Sequence, residues 1–215
     1  MYLQVNQPSI QLPQVPGGTA DLLRQESQDG TIANPLLGAY YGMIPEGPVL
    51  FLGGGDGLDA VQLACRGRSV TVFEEDFQQL ALIAGVARTL DVKVRLRQVP
   101  VVDWRLGYQR WSGIVALFGE WPAETRRRLL SQVPNALNAG GVFLMEGRAM
   151  VSLGPMHLDD HSLDPEDVRP ELEILHLARF ATIHRPVTTA AGVEQVPVLQ
   201  AVGVHLEASG QDESL

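Results

Sequence analysis

The sequence predicts an α/β fold: a doubly wound, mainly parallel sheet of seven strands, with helices on both faces and an antiparallel C-terminal hairpin. Three observations carry that expectation. Short apolar runs alternate with amphipathic stretches from Pro48 to about residue 150. The first of these runs stops in a glycine cluster, as a buried parallel strand does where it turns into a helix. The last two strand-like runs follow one another with no helical stretch between them, which implies a hairpin at a sheet edge.

Taken in order, residues 1–30 are rich in Gln, Pro and Gly, lack sustained periodicity and read as an arm or lid. VLFLG (49–53) is the first strand. LDAVQLACRG (58–67) has Leu58, Val61, Leu63 and Ala64 at helical spacing and ends on Gly67. VTVFE (70–74) is a second strand. The next helix, 76–90, carries Phe77, Leu80, Ile83, Ala84, Ala87 and Leu90 on its apolar side. VKVRLRQV (92–99) alternates as a third strand, and GIVALF (113–118) is a fourth. Pro122 opens a helix that Pro134 should kink or shorten. AGGVFLMEG (139–147) is a fifth strand, and an acidic helix is expected over 162–178. ARFATIHRPV (178–187) and VPVLQAVGVHLE (196–207) form the hairpin, joined by TTAAGVEQ. The division expected is an arm at 1–47, a folded domain at 48–207 and a polar tail at 208–215.

Composition narrows the function classes. At 215 residues the chain suits one sizeable domain that needs no disulfide or structural metal to build a core. A net charge of −9 argues against a broad nucleic-acid footprint. Cys65 is the one cysteine, so neither an intramolecular disulfide nor a cysteine-based zinc site can form. No apolar run has the length to span a bilayer, and the first residues do not read as a secretory leader, so the expectation is a cytoplasmic protein. Lys93 is the one lysine and sits in a strand-like run, which disfavours Schiff-base and P-loop chemistry.

The strongest signal is VLFLGGGDG followed by VTVFEED. Gly53, Gly55 and Gly57 lie at the strand-to-helix turn, where unusual dihedrals and a close ligand exclude a Cβ. Glu74 ends the next strand, 21 positions after Gly53. A carboxylate there can accept two ribose hydroxyls. A dinucleotide is disfavoured: Leu58 stands where the fingerprint has Gly or Ala, and Asp56 would repel a pyrophosphate. The acids suit a phosphate-free, cationic ligand.

GPVLFLGGGDGLDAVQLA, VTVFEEDFQQLAL, Asp103 in VVDW and LNAGGVFLMEG resemble, in order and spacing, the class I S-adenosylmethionine-dependent methyltransferases. The resemblance covers about 48–150. It implies a Rossmann-like fold and S-adenosylmethionine as cofactor. Gly53, Gly55, Asp56 and Gly57 would meet its methionine end, Glu74 its ribose and Asp103 its adenine amino group. Trp104 and Phe118 are further candidates for the cofactor-binding set. Phe51 departs from the acid found there in many members. The C-terminal third is similar to the tellurite-resistance and thiopurine-type small-molecule methyltransferases. In the first group a Leu-His-Arg stretch is implicated at the acceptor site, and Ile-His-Arg (183–185) stands at the same place. That implies His184 as proton acceptor and Arg185 as anion clamp, against an ordinary solvent-facing pair.

The acceptor is expected to be a small molecule. Glu120 and Trp121, in FGEWP, are candidates to orient or stack on it, against a helix-start charge and a helix anchor. Tyr40 and Tyr41 are candidates to cap the pocket, against packing on the sheet edge. His157 and His161 have metal-ligand types at i, i+4, but HLDDH is no zinc motif and reads as a solvated acidic loop, so no metal is expected. GGGDG also resembles the aminopropyltransferases of the spermidine-synthase kind, although their Asp-rich segment is missing from GIVALFGEWP. A non-catalytic cofactor-binding regulatory protein is the third reading, and a homodimer is left open.

Overall fold

The computed structural model describes residues 32–53, 55, 57–150, 161–189 and 192–206, the side chains of 187–189 excepted. Its sheet has seven strands in the order β3-β2-β1-β4-β5-β7-β6. These are β1 (Pro48–Leu52), β2 (Ser69–Glu74), β3 (Val94–Gln98), β4 (Trp111–Leu117), β5 (Leu137–Arg148), β6 (His176–Thr189) and β7 (Gly192–Val204). The first five run parallel; β7 is antiparallel to both β5 and β6. The expected fold class is the observed one. The helices are α1 (Pro35–Tyr40), α2 (Leu58–Cys65), α3 (Phe77–Thr89), α4 (Ala123–Leu130), α5 (Val133–Ala136) and α6 (Pro165–Leu172).

Strand alternation sorts the core into two layers. Val49, Phe51, Val115, Val142 and Leu144 face Leu36 and Leu37 of α1, Val61 and Leu63 of α2 and Ile83 of α3. Leu50, Leu52, Ile114, Phe143 and Met145 face Leu129, Val133 and Leu172 on the other side. Phe51 is therefore a filled core position, which is why no acid stands there.

At the element level two expectations change, and the shortening at Pro134 is observed. α1 packs its buried Leu36 and Leu37, and Ile44 after it, into the same core as the sheet. The helix begun by Pro122 is shortened as expected: it divides at Ser131–Gln132, and Pro134 takes an early position of α5, where its missing N–H costs nothing. The acidic helix ends at Leu172, two residues after Pro170, and β6 begins at His176. Its start is capped by Asp164, whose side chain accepts the Glu166 N–H. The hairpin ladder reaches Thr189 and Gly192, so the expected loop is mostly strand. The N-terminal arm 1–30 and the tail 208–215 lie outside the described residues.

Candidate functional site

The glycine turn leaves β1 at the carboxyl end of the sheet, beside the switch point between β1 and β4, where this architecture binds ligands. Gly53 has φ +74° and its N–H donates to the Phe73 carbonyl at 2.9 Å, tying the turn to β2. Gly57 opens α2 in the left-handed region at φ +78°. A Cβ there would stand 2.4 Å from Ile83 Cγ1, so glycine lets α2 close on α3. Gly55 is exposed, and among the described residues a Cβ on it would meet nothing within 4 Å. Among the described residues the turn is thus packed at Gly57 and open at Gly55.

Glu74 is the last residue of β2 and is half-buried. Its Oε1 accepts the N–H groups of Glu75 and Asp76 at 2.8 and 3.0 Å. That fixes the carboxylate at the mouth of the turn, while Asp76 caps α3. Glu75 Oε2 accepts the Val101 N–H at 3.0 Å and joins the ends of β2 and β3. Asp103, in the short 3-10 helix Val101–Asp103 after β3, is exposed at the same edge. The structure therefore brings Gly53, Gly55, Gly57, Glu74 and Asp103 to one end of three adjacent strands. Asp56 lies outside the described residues.

The aromatic candidates are placed differently. Trp104 is 1% exposed, donates from Nε1 to the Val99 carbonyl at 2.9 Å and packs edge-on against Phe73 and Trp121. Its indole is core and is not offered to a ligand. Trp121 is also buried, its ring lying between Gly53 and Gly119; a Cβ on Gly119 would stand 2.5 Å from it. It anchors the loop to the turn and does not present a stacking face. Phe118, the residue after β4, has φ +52°, a strained value for a side chain of its size. Its N–H donates to the Glu146 carbonyl at 2.6 Å, and the Arg185 guanidinium sits 5.2 Å from its ring centre.

Arg185 is not an anion clamp, because its guanidinium is bound to the Glu146 carboxylate. Glu146 is 1% exposed and also receives hydrogen bonds from the side-chain amides of Asn34, at 2.9 Å, and Gln200. Arg179 in turn donates to Gln200 Oε1 at 2.7 Å. This network escaped the sequence reading. The signal available was a carboxylate inside the apolar run VFLMEG, which has to be paired if buried. His184 is exposed and follows the opposite face of the edge strand β6 from Arg185, so the two do not form one site.

Tyr41 lies away from the turn. The Arg66 guanidinium, at the C-terminal end of α2, sits 5.5 Å from its ring centre. One α2 length, about 12 Å, separates that end from Gly57. Tyr40 and Tyr41 are both partly buried and pack against the core of the α2–α3 layer. Glu120 is exposed after β4 and lines a small cavity with Phe118, Gly119, Gly147, Arg148 and His161. His157, Asp159 and Asp160 lie outside the described residues. Among the described residues no group of three or more His, Cys, Asp or Glu is arranged to hold a metal. No described helix is long and apolar enough to cross a membrane.

No protein-family model matches the sequence, and no curated protein matches it. The architecture is well matched among solved structures. TehB from Haemophilus influenzae superposes with a TM-score of 0.69 at 14% identity, covering 86% of this chain; the match spans 66% of the TehB chain, just under two thirds. A SAM-dependent methyltransferase from Methanosarcina mazei gives 0.62 at 13% identity, covering 78% of this chain and 97% of that one. Magnesium protoporphyrin IX methyltransferase from Synechocystis PCC 6803, solved with bound S-adenosylhomocysteine (SAH), gives 0.57 at 16% identity and covers 88% of each chain. At these identities the likeness is one of fold: the chain has the class I S-adenosylmethionine-dependent methyltransferase fold.

Proposed function

We propose that the chain is an S-adenosylmethionine-dependent methyltransferase acting on a small molecule. The observation that carries this is the glycine turn, open above Gly55, with the Glu74 carboxylate at the end of the neighbouring strand. The residues suit that cofactor. Gly53, Gly55 and Gly57 would hold its methionine end, Glu74 its ribose hydroxyls and Asp103 its adenine amino group, with Asp56 assigned to the same turn. Glu74, Glu75, Asp76 and Asp103 form an acidic rim that favours a cationic ligand over a phosphate-bearing one. S-adenosylmethionine, when bound, supplies an electrophilic methyl group; the chain's part is to align an acceptor and exclude water. The net charge supports a small neutral or cationic acceptor rather than nucleic acid. The unpaired Cys65 supports work in a reducing compartment such as the cytoplasm.

Titration calorimetry with SAH tests the reading. The wild type is expected to bind, and Glu74→Ala to weaken binding by about 1–3 kcal/mol through the lost ribose hydrogen bonds. A wild-type protein that shows no heat of binding overturns it.

A further inference from the structure

We propose that His161 is the catalytic base of this site, with Glu120 beside it, and that the acceptor enters through a small protic head, a thiol or hydroxyl. The proposal rests on the methyltransferase reading and goes beyond it.

Backbone pairing brings His161 to the site across a long stretch of chain. The Leu163 N–H donates to the Arg148 carbonyl at 2.7 Å, and the Met150 N–H donates to the Leu163 carbonyl at 2.8 Å. This parallel bridge continues β5 past its end and sets residue 161 at the carboxyl edge of the sheet. The Leu163 side chain lies over Gly147, where a Cβ would stand 2.8 Å from Leu163 Cδ1, so only glycine lets the segment close down there.

The cavity that results is walled by the Phe118 to Glu120 loop on one side and by Gly147, Arg148 and His161 on the other. Its volume is about 30 Å³, room for one small group. It is also close to the glycine turn. Gly53 follows the end of β1 and Gly147 lies on β5, with β4 between them, so two strand spacings, about 10 Å, separate the two ends. The Trp121 indole fills the gap below, touching the Gly53 and Gly119 positions together.

Among the described residues, the charged groups lining this cavity are Glu120, Arg148 and His161. Imidazole is the side-chain type suited to accept a proton near neutral pH. A thiol or hydroxyl is a poor nucleophile until its proton leaves, whereas the pocket is too small for the body of a larger group. The chemistry balances. The X–H proton of the acceptor goes to His161, and the electron pair left on X makes the bond to the methyl carbon. The pair of the broken sulfur–methyl bond stays on sulfur. His184, on the outer face of an edge strand, has no comparable setting.

The test uses the full chain with labelled histidine, SAH for the binding arm, and S-adenosylmethionine with 2-mercaptoethanol for the turnover arm. SAH is expected to move the imidazole resonance that His161→Gln deletes, and to leave that of His184 in place. His161→Gln is expected to bind SAH within twofold of wild type and to methylate 2-mercaptoethanol 10²–10⁴-fold more slowly. That deficit should shrink as pH rises and the thiol ionises unaided, which a purely structural role would not produce. If SAH binds without moving the His161 resonance, or His161→Gln methylates the thiol as fast as wild type, the proposal fails while the cofactor reading stands. An SAH-binding wild type that leaves the thiol unmethylated overturns the acceptor class. Failure of wild type to bind SAH overturns both.

Discussion

Gly57 shows how one residue can serve packing and a candidate site together. Its left-handed φ opens α2, and its missing side chain admits Ile83 of α3. Gly57→Ala should therefore cost at least about 2 kcal/mol, from backbone strain plus overlap. In an Ile83→Ala background the overlap term falls while the strain remains, so a double-mutant cycle in urea should show a smaller penalty for the glycine change. An unchanged penalty would leave overlap with Ile83 out of the account. Gly55 has no such packing neighbour among the described residues. Trp104 and Trp121 teach the opposite lesson. Both were candidates for ligand contact, and both are buried against each other beneath the turn.

At the scale of elements, α1 is the piece that sequence periodicity did not reveal. Its six residues are too few to show a helical period, and isolated they would not hold a helix. What holds it is its cap and its packing. Asn34 accepts the N–H groups of Leu36 and Leu37, and Pro35 follows at the first helical position. The same Asn34 amide donates to Glu146, and its backbone N–H donates to Asp59 at 2.9 Å. Asn34→Ala should cost about 1–2 kcal/mol in urea unfolding. Asn34→Asp keeps the cap but sets a second carboxylate against Glu146. It should be the worse of the two, despite aspartate's good capping record. The reverse ranking would show that the Glu146 contact contributes little.

For the whole molecule, the Glu146 network joins what the chain order separates. It ties the N-terminal α1 to β5, to both strands of the C-terminal hairpin and, through the Phe118 N–H, to the end of β4. Arg185→Met leaves a buried carboxylate with only amide partners and should destabilise the fold by about 3–5 kcal/mol. Adding Glu146→Gln removes the charge and should restore part of that loss; a double variant no more stable than Arg185→Met alone would mean that the pair does not account for the stability. Because the network ends at Phe118, the same change should also loosen the loop that carries Glu120.

The sequence alone determined the sheet class, the glycine turn and the acids at the ends of β2 and β3. Those signals are local: a strand, a turn and a helix lie within a few tens of residues, and each residue type answers to its own backbone conformation. The departures were also decided by distance along the chain. Whether Arg185 faces solvent or Glu146, whether Trp121 stacks or anchors, and whether His161 and Glu120 line one cavity depend on pairings between segments far apart in sequence. Strand order and the bridge between Ala149 and Leu163 settle those pairings, and no short-range pattern encodes them. The glycine turn proposed to hold the ligand was legible because it follows from strand-to-helix geometry. The side chains around its far end were not, because only the tertiary structure brings them together.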